Sequence, residues 1–169
     1  MNQHVSRAPR PTLGTAHHWR PGFLLAVALL VGGPALAGDP PIRPDTKLTP
    51  GAVFPVTAAE VCRPGYAKSV RHVAGRTRAL VYREYGIRDH RSAAYEVDHL
   101  ISLGLGGSND VRNLWPQSFD TQPWNAHAKD RLENRLHRLV CEGTLSLGEA
   151  QAAIATDWIA AYQKYIEER

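Results

Sequence analysis

The side chains best suited to chemistry in this 169-residue chain gather between Tyr95 and Glu133. Asp98 and His99 are adjacent, Asn113 follows a glycine-rich stretch (Gly104, Gly106, Gly107), and Asn125, His127, Lys129 and Asp130 close the set. An imidazole with an unperturbed pKa of about 6.5 can take a proton from water at neutral pH. A carboxylate is a hard oxygen donor suited to Mg²⁺ or Mn²⁺, and a neutral amide makes a compatible second donor. Few protein ligands leave positions open for a phosphate oxygen and water, which is what metal-assisted hydrolysis requires. Each residue also has an ordinary reading. Asp98 could cap a turn, His99 could sit at a polar boundary, Asn113 could be a turn residue, and Lys129, Asp130 and Glu133 could be solvated helix charges.

The elements that must position these residues can be read from pattern. Tyr95 to Ile101, rich in Tyr, Val and Ile, suits a short strand. Successive strand residues point to opposite faces, so Asp98 and His99 cannot do the same job. Leu103 to Asp110 has the composition of a tight turn. Val111 to Trp115 reads as a second strand stopped by Pro116. From about Pro123, Trp124, Ala128, Leu132, Leu136 and Val140 recur at helical spacing. Two residues apart on a helix means about 200° of rotation, so only one of Asn125 and His127 can face the site.

The ordered set D-H-L-I-x-L-x-x-G-G-S-x-x-x-x-N-L-W-P-Q from Asp98 to Gln117, with an amphipathic helix after it, resembles the HNH nuclease family, the ββα-metal fold. The resemblance covers residues 95–133. It implies an α+β, mainly helical fold: a small ββα-metal motif with a flanking N-terminal helix and a C-terminal helix. It also implies an endonuclease hydrolysing phosphodiester bonds in DNA, with RNA as the alternative, and leaving 5′-phosphate and 3′-hydroxyl ends. In that scheme His99 activates water, Asn113 holds the imidazole, and Asp98 binds one Mg²⁺ or Mn²⁺. Asn125 is the further ligand, with His127 as the alternative. Lys129 either meets a phosphate or lies on the surface. Many members of the family carry paired CxxC zinc ligands; this chain has only Cys62 and Cys141, so a structural zinc is not expected.

Residues 1–37 read as a leader: Arg7, Arg10 and Arg20, the apolar run Phe23 to Val31, then Ala35-Leu36-Ala37 in the small-x-small form of a cleavage site. The apolar run is shorter than the roughly 20 residues of a membrane span. Cleavage after Ala37 implies a periplasmic or secreted protein with no stable membrane insertion after processing; an uncleaved anchor is the alternative. Residues 38–55, with five prolines, read as an extended, poorly ordered linker. Residues 56–169 form the nuclease-like domain, expected to be a monomer.

The whole chain has 20 Lys and Arg against 16 Asp and Glu, but three arginines leave with the leader, so 17 bases face 16 acids. What remains is asymmetry. Arg63, Lys68, Arg71, Arg76, Arg78, Arg83, Arg88 and Arg91 are crowded into one stretch, either to hold nucleic-acid phosphates or as an ordinary solvated face. Of these, Arg76, Arg78 and Arg83 lie on an expected helix, Arg76 to Tyr85, which ends at Gly86. Short helical turns are expected near Thr57 to Glu60. Ser146 and Glu149 form a capping box that opens a last helix to about Ile166. Two cysteines in an exported chain most simply form a disulfide, worth on the order of 4 kcal/mol for so long a loop; two buried thiols are the alternative. No glycine fingerprint of a nucleotide-binding fold and no internal repeat is present. The second function class is a catalytically silent nucleic-acid-binding module, or a cell-envelope protein, with the same fold. No residue specifies an inhibitor or immunity partner.

Overall fold

The structure, a computed structural model, describes residues 41–88 and 94–168. The expected leader, the first residues of the linker and Arg91 lie outside them. Three short helices, α1 (Ala58–Val61), α2 (Tyr66–Val70) and α3 (Gly75–Glu84), precede strands β1 (Tyr95–His99) and β2 (Leu114–Ser118). Helices α4 (Ala126–Cys141) and α5 (Leu147–Tyr162) follow. The fold is α+β, about half helical, with one two-stranded antiparallel sheet. No helix among the described residues is long and apolar enough to cross a membrane.

Local chemistry explains most boundaries. The Thr57 hydroxyl accepts from Glu60 N while Glu60 reaches back to Thr57 N, a capping box that starts α1. Gly86, at φ 69°, ends α3 where a side chain would be strained. Asn125 Oδ1 accepts from Ala128 N at 3.0 Å and starts α4. The Ser146–Glu149 box starts α5. The apolar stripe of α4 (Ala128, Leu132, Leu136, Val140) packs on Ile154 and Trp158 of α5 and on Leu100, Leu105 and Trp115 from the sheet and its loop.

Three expectations change. The second strand does not stop at Pro116 but runs through it, and Val111–Asn113 is a 3₁₀ turn. Backbone bonds Leu100 N to Asn113 O (2.7 Å) and Phe119 N to Ala94 O (3.1 Å) set the alternation of the antiparallel ladder. Pro116 opposite Val97 therefore falls on a non-hydrogen-bonded pair, where a missing N–H removes no ladder bond. The last helix is broken at Asp157 (φ −159°, ψ 99°). Its carboxylate accepts from Ile159 N and Ala160 N as a second cap, and it pairs with Arg43 at 3.1 Å. Finally, residues 41–55 are not loose. Gly51 N donates to Arg112 O, Phe54 N to Gly106 O and Ser108 N to Ala52 O, all at 2.8–2.9 Å. This strap braces the loop between the strands.

Cys62, just after α1, is bonded to Cys141 at the end of α4, with Cα atoms 5.6 Å apart. The bridge fixes the N-terminal helices over the start of the β1–β2 loop.

Candidate active site

Alternation along β1 sends Asp98 toward α4 and His99 toward α2 and α3. His99 is 4% exposed, and its Nε2 lies 3.0 Å from Asn109 Oδ1. The Asn109 amide donates from Nδ2 to Val70 O at 2.8 Å, so its oxygen is the atom facing the ring. The oxygen can only accept, hence Nε2 carries the proton and Nδ1 keeps the lone pair. Burial lowers the His99 pKa, against the opposing effects of the Asn109 bond and Asp98. A neutral imidazole with one nitrogen tied and the other basic is the state a general base needs.

The expected holder of this imidazole, Asn113, has another task. It is fully buried; its Oδ1 accepts from Ile101 N, and its Nδ2 donates to Ile101 O and Ser108 O, each at 2.9 Å. It closes the loop that carries Asn109. Gly107 is required in the same place: a Cβ there would stand 1.7 Å from Ile101 O. The sequence reading missed Asn109. Its only signal was its place in the Ser108-Asn109-Asp110 turn, a composition common to loops of no special function.

Lys129 differs most from expectation. It is wholly buried, and its Nζ donates to Asp98 Oδ2 and to the His99 carbonyl, both at 2.6 Å, and to the Glu133 carboxylate. A residue so enclosed does not reach for substrate. Burial works against the ammonium, but Asp98 and Glu133 outweigh it and raise the Lys129 pKa, so it stays charged. Burial also raises the Glu133 pKa, with Lys129 opposing and Asp98 adding. Around it, burial and then the neighbouring Asp98 and Asp130 carboxylates push Glu96 up to about 7, and Asp130 is raised for similar reasons. Two carboxylates thus contact one interior ammonium, whose charge also acts on Glu96 and Asp130.

A cavity of about 460 Å³ is lined by Asp98, His99 and Glu133, with Lys68 and Arg71 on its walls. A second, of about 530 Å³, lies between α3 and β1 and shares His99 and Arg71 with the first. Of the three arginines expected on α3, only Arg78 lines either cavity; its guanidinium donates to Val73 O at 2.8 Å. Arg71 faces the site instead: its charge acts on His99, Glu96 and Asp130.

Neither expected amide nor imidazole ligand is joined to Asp98 by a hydrogen bond among the described residues. Asn125 spends its oxygen on the helix cap, and the exposed His127 ring lies against Phe119, centroids 5.5 Å apart. The oxygen donors near Asp98 are different: one shares its cavity and one shares its face of the sheet. Glu133 adds a second carboxylate in the cavity. Gln117, which stands opposite Glu96 on the same face of the sheet as Asp98, is 2% exposed with neither amide atom bonded. An all-oxygen set of this kind suits a hard divalent cation.

A soft donor group also exists. Cys62, His137 and Cys141 bring their ligand atoms within 4.8 Å of one another. Both sulfurs are spent in the disulfide, however, and a bonded sulfur is not the thiolate that zinc requires. Comparison of the chain with protein-family models, curated proteins and solved structures finds no match.

Proposed function

We propose that this protein is an exported, metal-dependent endonuclease of the HNH type, hydrolysing phosphodiester bonds in DNA, with RNA as the alternative substrate. The observation that supports this most is one cavity holding a buried imidazole with a tied Nε2, two carboxylates and a basic wall. His99 Nδ1 takes the proton of the attacking water. Asn109 holds the ring in the tautomer that leaves Nδ1 basic. Asp98 and Glu133 would hold one Mg²⁺ or Mn²⁺, and the ion would supply charge relief at the leaving oxygen. Lys129 fixes both carboxylates in place, and Arg71 and Lys68 bind the flanking phosphates. Cleavage of the leader after Ala37 would deliver the protein to the periplasm or medium, where the Cys62–Cys141 bridge persists.

Plasmid nicking by the mature, oxidised protein tests this reading. Nicking should need Mg²⁺ or Mn²⁺, vanish with chelator, and fall about 10²–10⁴-fold in His99→Ala, the usual size of general-base loss. Metal-independent nicking, or a folded His99→Ala protein of full activity, would overturn it. One observation favours a second reading, a silent nucleic-acid-binding module: the Lys129 ammonium already balances Asp98 and Glu133 internally. Tight binding of nucleic acid without cleavage under every metal condition would select that reading.

A further inference from the structure

The cavity between α3 and β1 is assigned no task by the hydrolytic scheme, yet it meets the catalytic cavity at His99 and Arg71. Its character is different. Val73, Ala79, Val97 and two aromatic rings, Tyr82 and Tyr95, form its walls; among them stand the guanidinium groups of Arg71 and Arg78 and one carboxyl, Glu96, which burial and its acidic neighbours push up to about 7. Tyr82 is buried and Tyr95 half-buried. The volume of about 530 Å³ lies within the range of about 300–1,000 Å³ typical of small-ligand sites.

We propose that this cavity is a subsite for one unpaired nucleoside adjoining the bond to be cut, so that the substrate is single-stranded or locally unpaired nucleic acid. The proposal rests on the nuclease reading above and names the substrate class of that same site. A nucleoside is a flat apolar base flanked by two phosphates, and the walls match it part for part. Aromatic and aliphatic surface takes the base, and guanidinium groups stand where phosphates would lie. Arg71, shared by both cavities, faces the phosphate attacked by the water that His99 deprotonates. Arg78, tied to Val73 O through one nitrogen, keeps other N–H donors for the next phosphate. In an intact duplex a base cannot leave its stack without cost, whereas a single strand offers it already exposed.

The test measures binding and cleavage separately. Labelled single strands of DNA and of RNA, and a matched DNA duplex, are titrated by fluorescence anisotropy in chelator at one salt concentration. The same strands are then cut in Mg²⁺ or Mn²⁺. The single strands should bind about tenfold or more tightly than the duplex, and the DNA and RNA arms identify the preferred sugar. Tyr95→Ala should weaken single-strand binding about 5- to 150-fold, the range measured for loss of one stacking platform. Because Tyr95 lies in β1, the exposed helix position Ala79 gives a second variant: Ala79→Leu narrows the cavity and should remove the single-strand preference while sparing duplex binding. Equal affinity for strand and duplex, or unchanged preference in a folded Ala79→Leu protein, overturns the subsite and leaves the nuclease reading standing. Absence of cleavage in every arm rejects the nuclease reading, and the inference falls with it.

Discussion

Replacing Asn109 with Asp tests whether this side chain governs the state of His99. The variant keeps an oxygen 3.0 Å from Nε2 but makes it part of a charged carboxylate, and it loses the donor to Val70 O. The lost amide bond should cost about 1 kcal/mol of stability. The electrostatic effect is larger. In wild type, burial holds the His99 pKa below its usual value. A carboxylate at hydrogen-bond distance raises a histidine by about one to three units, and at a site 4% exposed solvent screens it weakly. Whatever the starting value, a rise of two units cuts the ratio of neutral to protonated ring about a hundredfold at a given pH, and lowers the available base with it. The titration can be followed by NMR at the ring Cε1 proton, with neither substrate nor metal present. Linkage gives an independent sign. Wild-type His99, depressed on folding, subtracts stability as pH falls below the unfolded pKa. The variant, raised on folding, gains stability at low pH and loses that gain as pH rises through its folded pKa. A variant His99 that titrates where wild type does would refute the proposed role of Asn109.

Other substitutions separate the remaining roles. Lys129→Met leaves two interior carboxylates without their counter-charge and should cost about 3–5 kcal/mol in denaturant unfolding at neutral pH. A loss under about 1 kcal/mol would show that the triad is solvated. Cys62→Ser should lower stability by on the order of 4 kcal/mol, and mass spectrometry of the untreated protein should show one internal bridge; two free thiols would refute it. Arg71→Ala should flatten the slope of log K against log salt on duplex DNA by about 0.9, while Arg76→Ala with Arg83→Ala should change it little. The reverse result would move the phosphate path to the outer face of α3.

Much of the frame was legible because its signals are local. The α4 stripe announces a helix, and Ser146 with Glu149 marks where α5 begins; each depends on residues within a turn or two. The misplaced second strand shows the limit. Val111 to Trp115 has strand-like composition, but pairing is decided by what lies across from β1, and there Pro116 costs nothing. Lys129 is the clearer case. On a polar helix a lysine is ordinary, and only the arrival of Asp98 from 31 positions away turns it into an interior ion pair. Asn109 and Asn113 are indistinguishable by type. Which of them holds the imidazole depends on the path of a loop braced by the N-terminal strap, itself a run of prolines that composition alone suggests is loose.

The disulfide has a consequence for resistance to proteolysis. It closes a span of 79 positions, from Cys62 to Cys141, and His99, Asp98, Glu133, Arg71 and Asn109 all fall inside that span. A protease that cuts once within it, after the exposed Arg88 for instance, separates the chain into two pieces that remain covalently joined. Asn109 stays with His99 on one side of such a cut and Arg71 on the other, held together by the bridge and by packing. A nicked molecule should therefore run as one species without reductant and as two with it, and keep its site until the bridge is reduced.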